Sequence, residues 1–430
     1  MTLLYLLLLI LMPALAFAAP SPTSYTCYDQ PNPLIPVRHA VPCPLQTKPR
    51  LFLDVATQPS SNNSFSINFA CRTDKNCAEA QAAFETAGQI ISASLILSQP
   101  VSVNASYYSF CREQGACTNG GFLVLGGARP ARMHPLKDND GMTRLYPQAL
   151  VKQMNFSAHP QYSQYDIQAA FNADAPFWFN GATPIGENQS DFLFVVLHEL
   201  MHGLGFTSSW SDYITSSLLT PDLTASENRL GQVRISQFYE YVFDRYAVTL
   251  PDLKHTTQNT QDLNNAVSSA PSDFISPSDL NSILQGSPDL VRIGTQMMNI
   301  ATTPDSLGFL PEGKSTTQDA VVLETSIKPF SDGSSISHVD YRTYTNTADF
   351  LMRFIQDQGV TLQEAVRRGG GSGPIGPKLM QVLSSMGYST RDQPLPVNLP
   401  SGFVKSSAMG LAPNILFMAS LFILYPILNF

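Results

Sequence analysis

An α+β fold is predicted, on three observations. Helical and strand periodicities succeed one another in the order helix, strands, helix. Apolar residues make up 43% of the 430-residue chain, ample for a buried core. No short repeat or heptad persists, which excludes collagen and coiled coil. In chain order, residues 19–50 are rich in Pro, Ser and Thr and read as an irregular entry held by Cys27 and Cys43. From Ala78 to Leu95 helix formers carry apolar residues at Ala82, Phe84, Ile90, Ile91 and Leu95, an amphipathic helix. Val101 to Tyr108, Gly121 to Leu125 and Tyr165 to Asn172 read as strands, and a second helix opens at Asp191.

Residues 250–313 are rich in Ser, Thr, Asn, Asp and Pro, with short amphipathic pieces at Leu280–Leu284 and Leu290–Met298, and read as an insertion in the second half. The glycine-rich bend Gly369 to Pro374 precedes a short helix at Pro377 to Met386, after which a Pro/Ser linker follows. The expected organisation is a disulfide-linked segment at 19–74, a principal domain at 75–390 and a linker at 391–407.

The ends read as addresses. Residues 1–18 combine a leucine-rich run with the small residues around Ala18, the pattern of a secretory signal. At the other end Ser406 and Ser407 precede Ala408, a short spacer and an apolar terminus, so 408–430 read as a glycosylphosphatidylinositol signal with Ser406 or Ser407 as candidate attachment sites. The six cysteines all lie before residue 118 and suit three disulfides of an exported protein. Cys71 with Cys77 and Cys111 with Cys117 would close short loops, but fifteen connectivities are open. Asn62, Asn104, Asn155 and Asn188 begin sequons, expected on surface loops. Only 13% of residues are charged, Lys+Arg number 25 against 33 Asp+Glu, and no basic tract occurs, which excludes nucleic-acid binding.

The chemistry concentrates in residues 191–206, DFLFVVLHELMHGLGF. Asp191 can cap a helix on which His198 and His202, four apart, share one face. Two imidazoles so spaced can bind one Zn²⁺, and Glu199 is placed to take a proton from a zinc-activated water. Gly205 can end the helix with positive φ and turn the chain below the metal. A catalytic zinc takes three protein ligands. The compact pattern HExxHxxGxxH fails here, because its last position is Ser208. Two downstream residues compete for the third place: His338 in GSSISHVD, and Glu240 in EYVFD, an ExxxD spacing like that on the second helix of thermolysin-like enzymes.

HELMHGLGF, the distant GSSISHVD, then Asp349-Phe350-Leu351-Met352 and finally the segment Leu379 to Tyr388 resemble, in order, the motifs of the leishmanolysin family of metzincin peptidases. The likeness covers roughly residues 75–390. It implies a metzincin-like zincin fold: a twisted-sheet N-terminal lobe, a zinc-binding active-site helix and an irregular C-terminal lobe. It implies His198, His202 and His338 as ligands of one catalytic Zn²⁺, Glu199 as general base, and Met352 as the methionine of a turn beneath the metal. The resulting expectation is a secreted or cell-surface, lipid-anchored zinc endopeptidase acting on protein or peptide substrates. An extended substrate is expected to pair with an edge strand near Asp166 to Asn172. The alternative is an adhesion or binding module that keeps the fold without cleaving. A merely structural zinc site, however, would use four protein ligands and have no need of Glu199.

Overall fold

A computed structural model describes residues 25–35, 37–46, 63–117, 123–181, 183–227, 230–268, 273–396 and 399–404. The expected signal at 1–18, Asn62, Ser406, Ser407 and the segment 408–430 lie outside the described residues. Among the described residues no helix is long and apolar enough to cross a membrane.

The layer that positions the site is a four-stranded sheet in the order Phe65–Arg72, Val101–Tyr108, Ile167–Asn172, Gly126–Pro130. The first three strands are parallel and the last is antiparallel. Val101–Tyr108 alternates strictly at first. Val101, Val103, Ala105 and Tyr107 are buried, while Ser102, Asn104 and Ser106 face the opposite side. Against the apolar face packs the helix Cys77–Ser94, which buries Ala80, Phe84, Ala87, Gly88 and Ile91, residues recurring at helical spacing. The histidine-bearing helix Phe192–Gly203 packs beside it. Phe84, Phe171 and Phe192 meet edge-on or tilted at centroid distances of 5.2–6.2 Å and join the three elements.

Two expectations are corrected here. Of the strand expected at Gly121–Leu125, residues 121 and 122 lie outside the described residues and 123–125 are not strand; the strand lies at Gly126–Pro130, where a Cβ on Gly126 would stand 2.7 Å from the Phe171 ring, and one on Gly127 2.9 Å from Leu34. The glycines that weaken strand propensity are required by this close packing. Ile167–Asn172 is not an edge: it is paired on both sides, and Gly126–Pro130 takes the edge position. Phe65–Arg72 is the other outer strand of this layer.

A second sheet runs in the order Asp222–Glu227, Val233–Tyr241, Thr143–Pro147, Arg132–Lys137, Thr26–Asp29, His39–Pro42, with Gly402–Phe403 also paired to Arg132–Lys137. The cysteines stand in three disulfide pairs, Cys27–Cys43, Cys71–Cys77 and Cys111–Cys117, with Cα separations of 5.9, 5.8 and 4.2 Å. The first closes the hairpin at one end of this sheet. The 250–313 region forms three helices, Thr257–Ser268, Pro277–Gly286 and Pro288–Ala301, longer than the amphipathic pieces in the sequence suggested. Their apolar faces pack on the strands Leu218–Thr220 and Val233–Tyr241. The helix Pro377–Met386 is followed by the buried Tyr388, whose hydroxyl donates to the Leu204 carbonyl at 2.9 Å. The C-terminal segment thus braces the end of the histidine helix.

Candidate metal centre

Asp191 caps the histidine helix: one carboxylate oxygen accepts from the Leu193 and Phe194 N–H groups, and the other from the Leu362 N–H at 2.8 Å. The helix lies so close to the sheet that a Cβ on Gly203 would sit 2.5 Å from Ile167. Beyond it Gly205 has φ +103°, a conformation glycine tolerates, and a Cβ there would meet Pro147 at 2.8 Å. The turn brings the Phe206 carbonyl back to the helix.

Three imidazoles converge at this point. The Nε2 atoms of His198, His202 and His338 lie 3.0, 3.2 and 3.1 Å from one another. Each Nδ1 faces a backbone carbonyl: His198 that of Leu351 at 2.7 Å, His202 that of Phe206 at 2.6 Å, His338 that of Ser334 at 2.9 Å. A carbonyl only accepts, so each Nδ1 carries the proton and each Nε2 presents a lone pair to the centre. Burial depresses all three basicities, that of His198 to about 4, of His202 to about 3 and of His338 well below the usual histidine value. Three neutral nitrogens with facing lone pairs repel one another, and a cation at their centre relieves that repulsion. Atoms so spaced can each lie about 2.0–2.1 Å from a common point, the length of a Zn–N bond. The donor set fits zinc.

Glu199 follows His198 on the helix and is half-buried. Its Oε2 accepts from the Ala128 N–H of the sheet edge at 3.0 Å. Burial pushes its pKa up to about 7, while that N–H and the nearby Arg129 charge act in the opposite direction. Met352 ends the 3₁₀ turn Phe350–Met352 and is fully buried. The turn supplies the Leu351 carbonyl to His198, and the Met352 carbonyl accepts from the Val339 N–H beside His338.

Glu240 lies in another network. It is buried at the end of the strand Val233–Tyr241 and accepts from Arg144 Nε at 2.8 Å, Thr257 Oγ1 at 3.0 Å and Thr260 Oγ1 at 2.7 Å. Its ExxxD partner Asp244 accepts from Ser208 Oγ at 2.6 Å and from the Ser209 and Tyr241 N–H groups. Ser208, in the position of the missing third histidine, is therefore committed to Asp244. The Ser208 N–H in turn donates to Ser337 Oγ at 3.1 Å, which fastens this segment to the one carrying His338. Ala128, Arg129 and the three carbonyls were not found by sequence reasoning. Four of these five contribute backbone groups or act only through folding, and no residue type marks such a role.

Of the sequons, Asn155 and Asn188 are exposed. Asn104 corrects the expectation of a loop: it sits on a central strand, with its amide donating to Gln168 Oε1 at 2.8 Å. His134, like His39, His159 and His255, has loop-like sequence surroundings without ligand spacing and reads from sequence as a surface residue; instead it is fully buried, with Nδ1 3.1 Å from Cys27 Sγ.

The SPBPB7E8-like family model matches residues 43–401, a span that includes all three histidines and Glu199. An uncharacterized protein of Schizosaccharomyces pombe, PB7E8.01, is 30% identical over 367 residues, covering 77% of this chain. The chain spans 64% of the length of that relative. No solved structure matches. With a match over most of its length, the chain belongs to the SPBPB7E8-like family.

Proposed function

We propose that the protein is a zinc-dependent endopeptidase of the cell surface, with a metzincin-like site. The observation that carries the reading is the convergence of three neutral Nε2 atoms beside a carboxylate that is not among them. His198, His202 and His338 would hold the ion. A bound Zn²⁺ supplies Lewis acidity, polarising a peptide carbonyl and acidifying water. Glu199 takes the proton of the attacking water on its carboxylate and delivers it to the nitrogen of the departing amine. The backbone carbonyls of Leu351, Phe206 and Ser334 keep the imidazoles in the Nδ1–H form and fix their aim. The substrate lies extended along the outer edge of Gly126–Pro130, with which no strand among the described residues pairs and where main-chain hydrogen bonding binds without demanding a sequence. The leucine-rich run in residues 1–18 and the small residues Ser406 and Ser407 support a reading of export through the secretory pathway and attachment to a lipid anchor.

The test is hydrolysis of a fluorogenic peptide library by purified protein, with metal content measured alongside. One zinc per chain and turnover that a chelator abolishes and zinc restores are expected. One zinc per chain without turnover of any peptide would favour the non-cleaving adhesion or binding module.

A further inference from the structure

We propose that the backbone N–H of Ala128 serves two acceptors in turn: the Glu199 carboxylate in the free protein, and a carbonyl of the extended peptide in the complex. The proposal rests on the peptidase reading above and names a positioning group for it.

The register fixes the direction of this N–H. Residues along an antiparallel strand point their N–H and C=O alternately toward one neighbour and the other. The Ala131 N–H donates to the Asp166 carbonyl at 2.7 Å, and the Asn172 N–H to the Leu125 carbonyl at 2.9 Å. Residues 125, 127, 129 and 131 therefore face the strand Ile167–Asn172, while Gly126, Ala128 and Pro130 turn their backbone groups outward. Among the described residues no strand pairs with that outer edge. Leu34 and the Pro33 carbonyl reach Gly127 and Arg129, which belong to the inward-facing set.

An added chain meets only two outward N–H donors, those of Gly126 and Ala128, because Pro130 has none. Of these two, the Ala128 donor is already occupied. Glu199 Oε2 stands 3.0 Å from the Ala128 nitrogen, where the carbonyl of an added strand would stand. One N–H cannot give both acceptors a full hydrogen bond. Docking of the peptide therefore detaches Glu199 from the sheet and leaves its Oε2 lone pair for the proton it is to receive. The tether holds the base in place until a substrate strand replaces it.

Affinity for a peptide that the fluorogenic screen shows to be cleaved, measured by fluorescence anisotropy on metal-free full-length protein so that no variant turns it over, provides the test. Glu199→Ala leaves the Ala128 donor unoccupied and is expected to bind about tenfold more tightly than wild type, the scale of a hydrogen bond to a charged group. Ala128→Pro removes the donor and weakens binding, and in that background Glu199→Ala brings no gain. Equal gains in both backgrounds, or no gain in either, overturn the proposal. If Ala128→Pro fails to fold, amide hydrogen exchange decides. Ala128 exchanges slowly in wild type, faster in Glu199→Ala, and slowly again when peptide is added to that variant; an unchanged rate in Glu199→Ala overturns it. A peptide cleaved by wild type but showing no such coupling defeats this proposal alone. If no peptide is cleaved, the peptidase reading fails and the proposal with it.

Discussion

Glu199 and His134 show how differently two titratable side chains of the interior report on themselves. The spacing of His198, Glu199 and His202 was legible because a helix places residues four apart on one face. On the proposed function, Glu199→Ala should keep one zinc while hydrolysis falls by about 10²–10⁴-fold, the usual share of general acid–base catalysis. Parallel zinc analysis and peptide turnover check this, and turnover at the wild-type rate would remove Glu199 from the mechanism. His134 carried no such pattern and read as a surface residue; the fold sets Cys27 Sγ and the Tyr162 ring against it and buries it. Burial lowers its pKa from 6.5 to about 3, with the Arg132 charge acting in the same direction. The unfolded chain therefore takes up this proton from pH 6.5 downward, and the folded chain only near pH 3. Stability contributed by neutral His134 is present above pH 6.5 and is lost as the pH falls toward 3. In His134→Phe the dependence of unfolding free energy on pH should become shallower in that window, by up to about 1.4 kcal/mol per pH unit. Urea denaturation of the metal-free protein across the window measures it, and an identical slope in both proteins would refute it.

At the scale of elements, helices and the strands with clean alternation were legible: Cys77–Ser94, Val101–Tyr108, Phe192–Gly203 and Pro377–Met386 fall within a residue or two of expectation. The edge strand was not, because Gly126 and Gly127 look like a turn until the close approach of Phe171 and Leu34 is known. The same logic governs the contact of the histidine helix with the sheet. Gly203 permits it, with Ile167 filling the space that a Cβ would take. Gly203→Ala should destabilise the protein by about 1–3 kcal/mol through overpacking, despite the better helix propensity of alanine. Because the clash is with one side chain, Gly203→Ala combined with Ile167→Ala should cost less than the sum of the single changes. Chemical denaturation of the four proteins tests this, and strict additivity would show that the helix position does not depend on that contact.

At the scale of the molecule, the choice between His338 and Glu240 was open to spacing alone, since both lie far downstream of the helix and sequence distance says nothing about which loop returns to the metal. Folding separates them. The segment bearing His338 is fastened through Ser337 to Ser208, just beyond the histidine helix, and the turn that follows it holds His198 through the Leu351 carbonyl, whereas Glu240 joins the second sheet to the helix Thr257–Ser268. There Arg144, itself buried, holds Glu240 at 2.8 Å, Asp138 at 2.6 Å and Asp140 at 2.8 Å. Removing Arg144 leaves the fully buried carboxylates of Glu240 and Asp138 without its charge, a loss of about 3–5 kcal/mol. Arg144→Met should therefore lower the stability of the whole fold by about that amount while the folded fraction still binds one zinc. Glu240→Ala should behave in the same way, weakened in stability but complete in metal. His338→Ala should show the opposite pattern: nearly unchanged resistance to denaturant without metal, and much weaker zinc binding, because two imidazoles remain where a catalytic site needs three protein ligands. Zinc titration and urea denaturation of the three variants separate the patterns, and loss of zinc from folded Glu240→Ala with retention by His338→Ala would transfer the third ligand to Glu240 and undo the metzincin-like reading of the site.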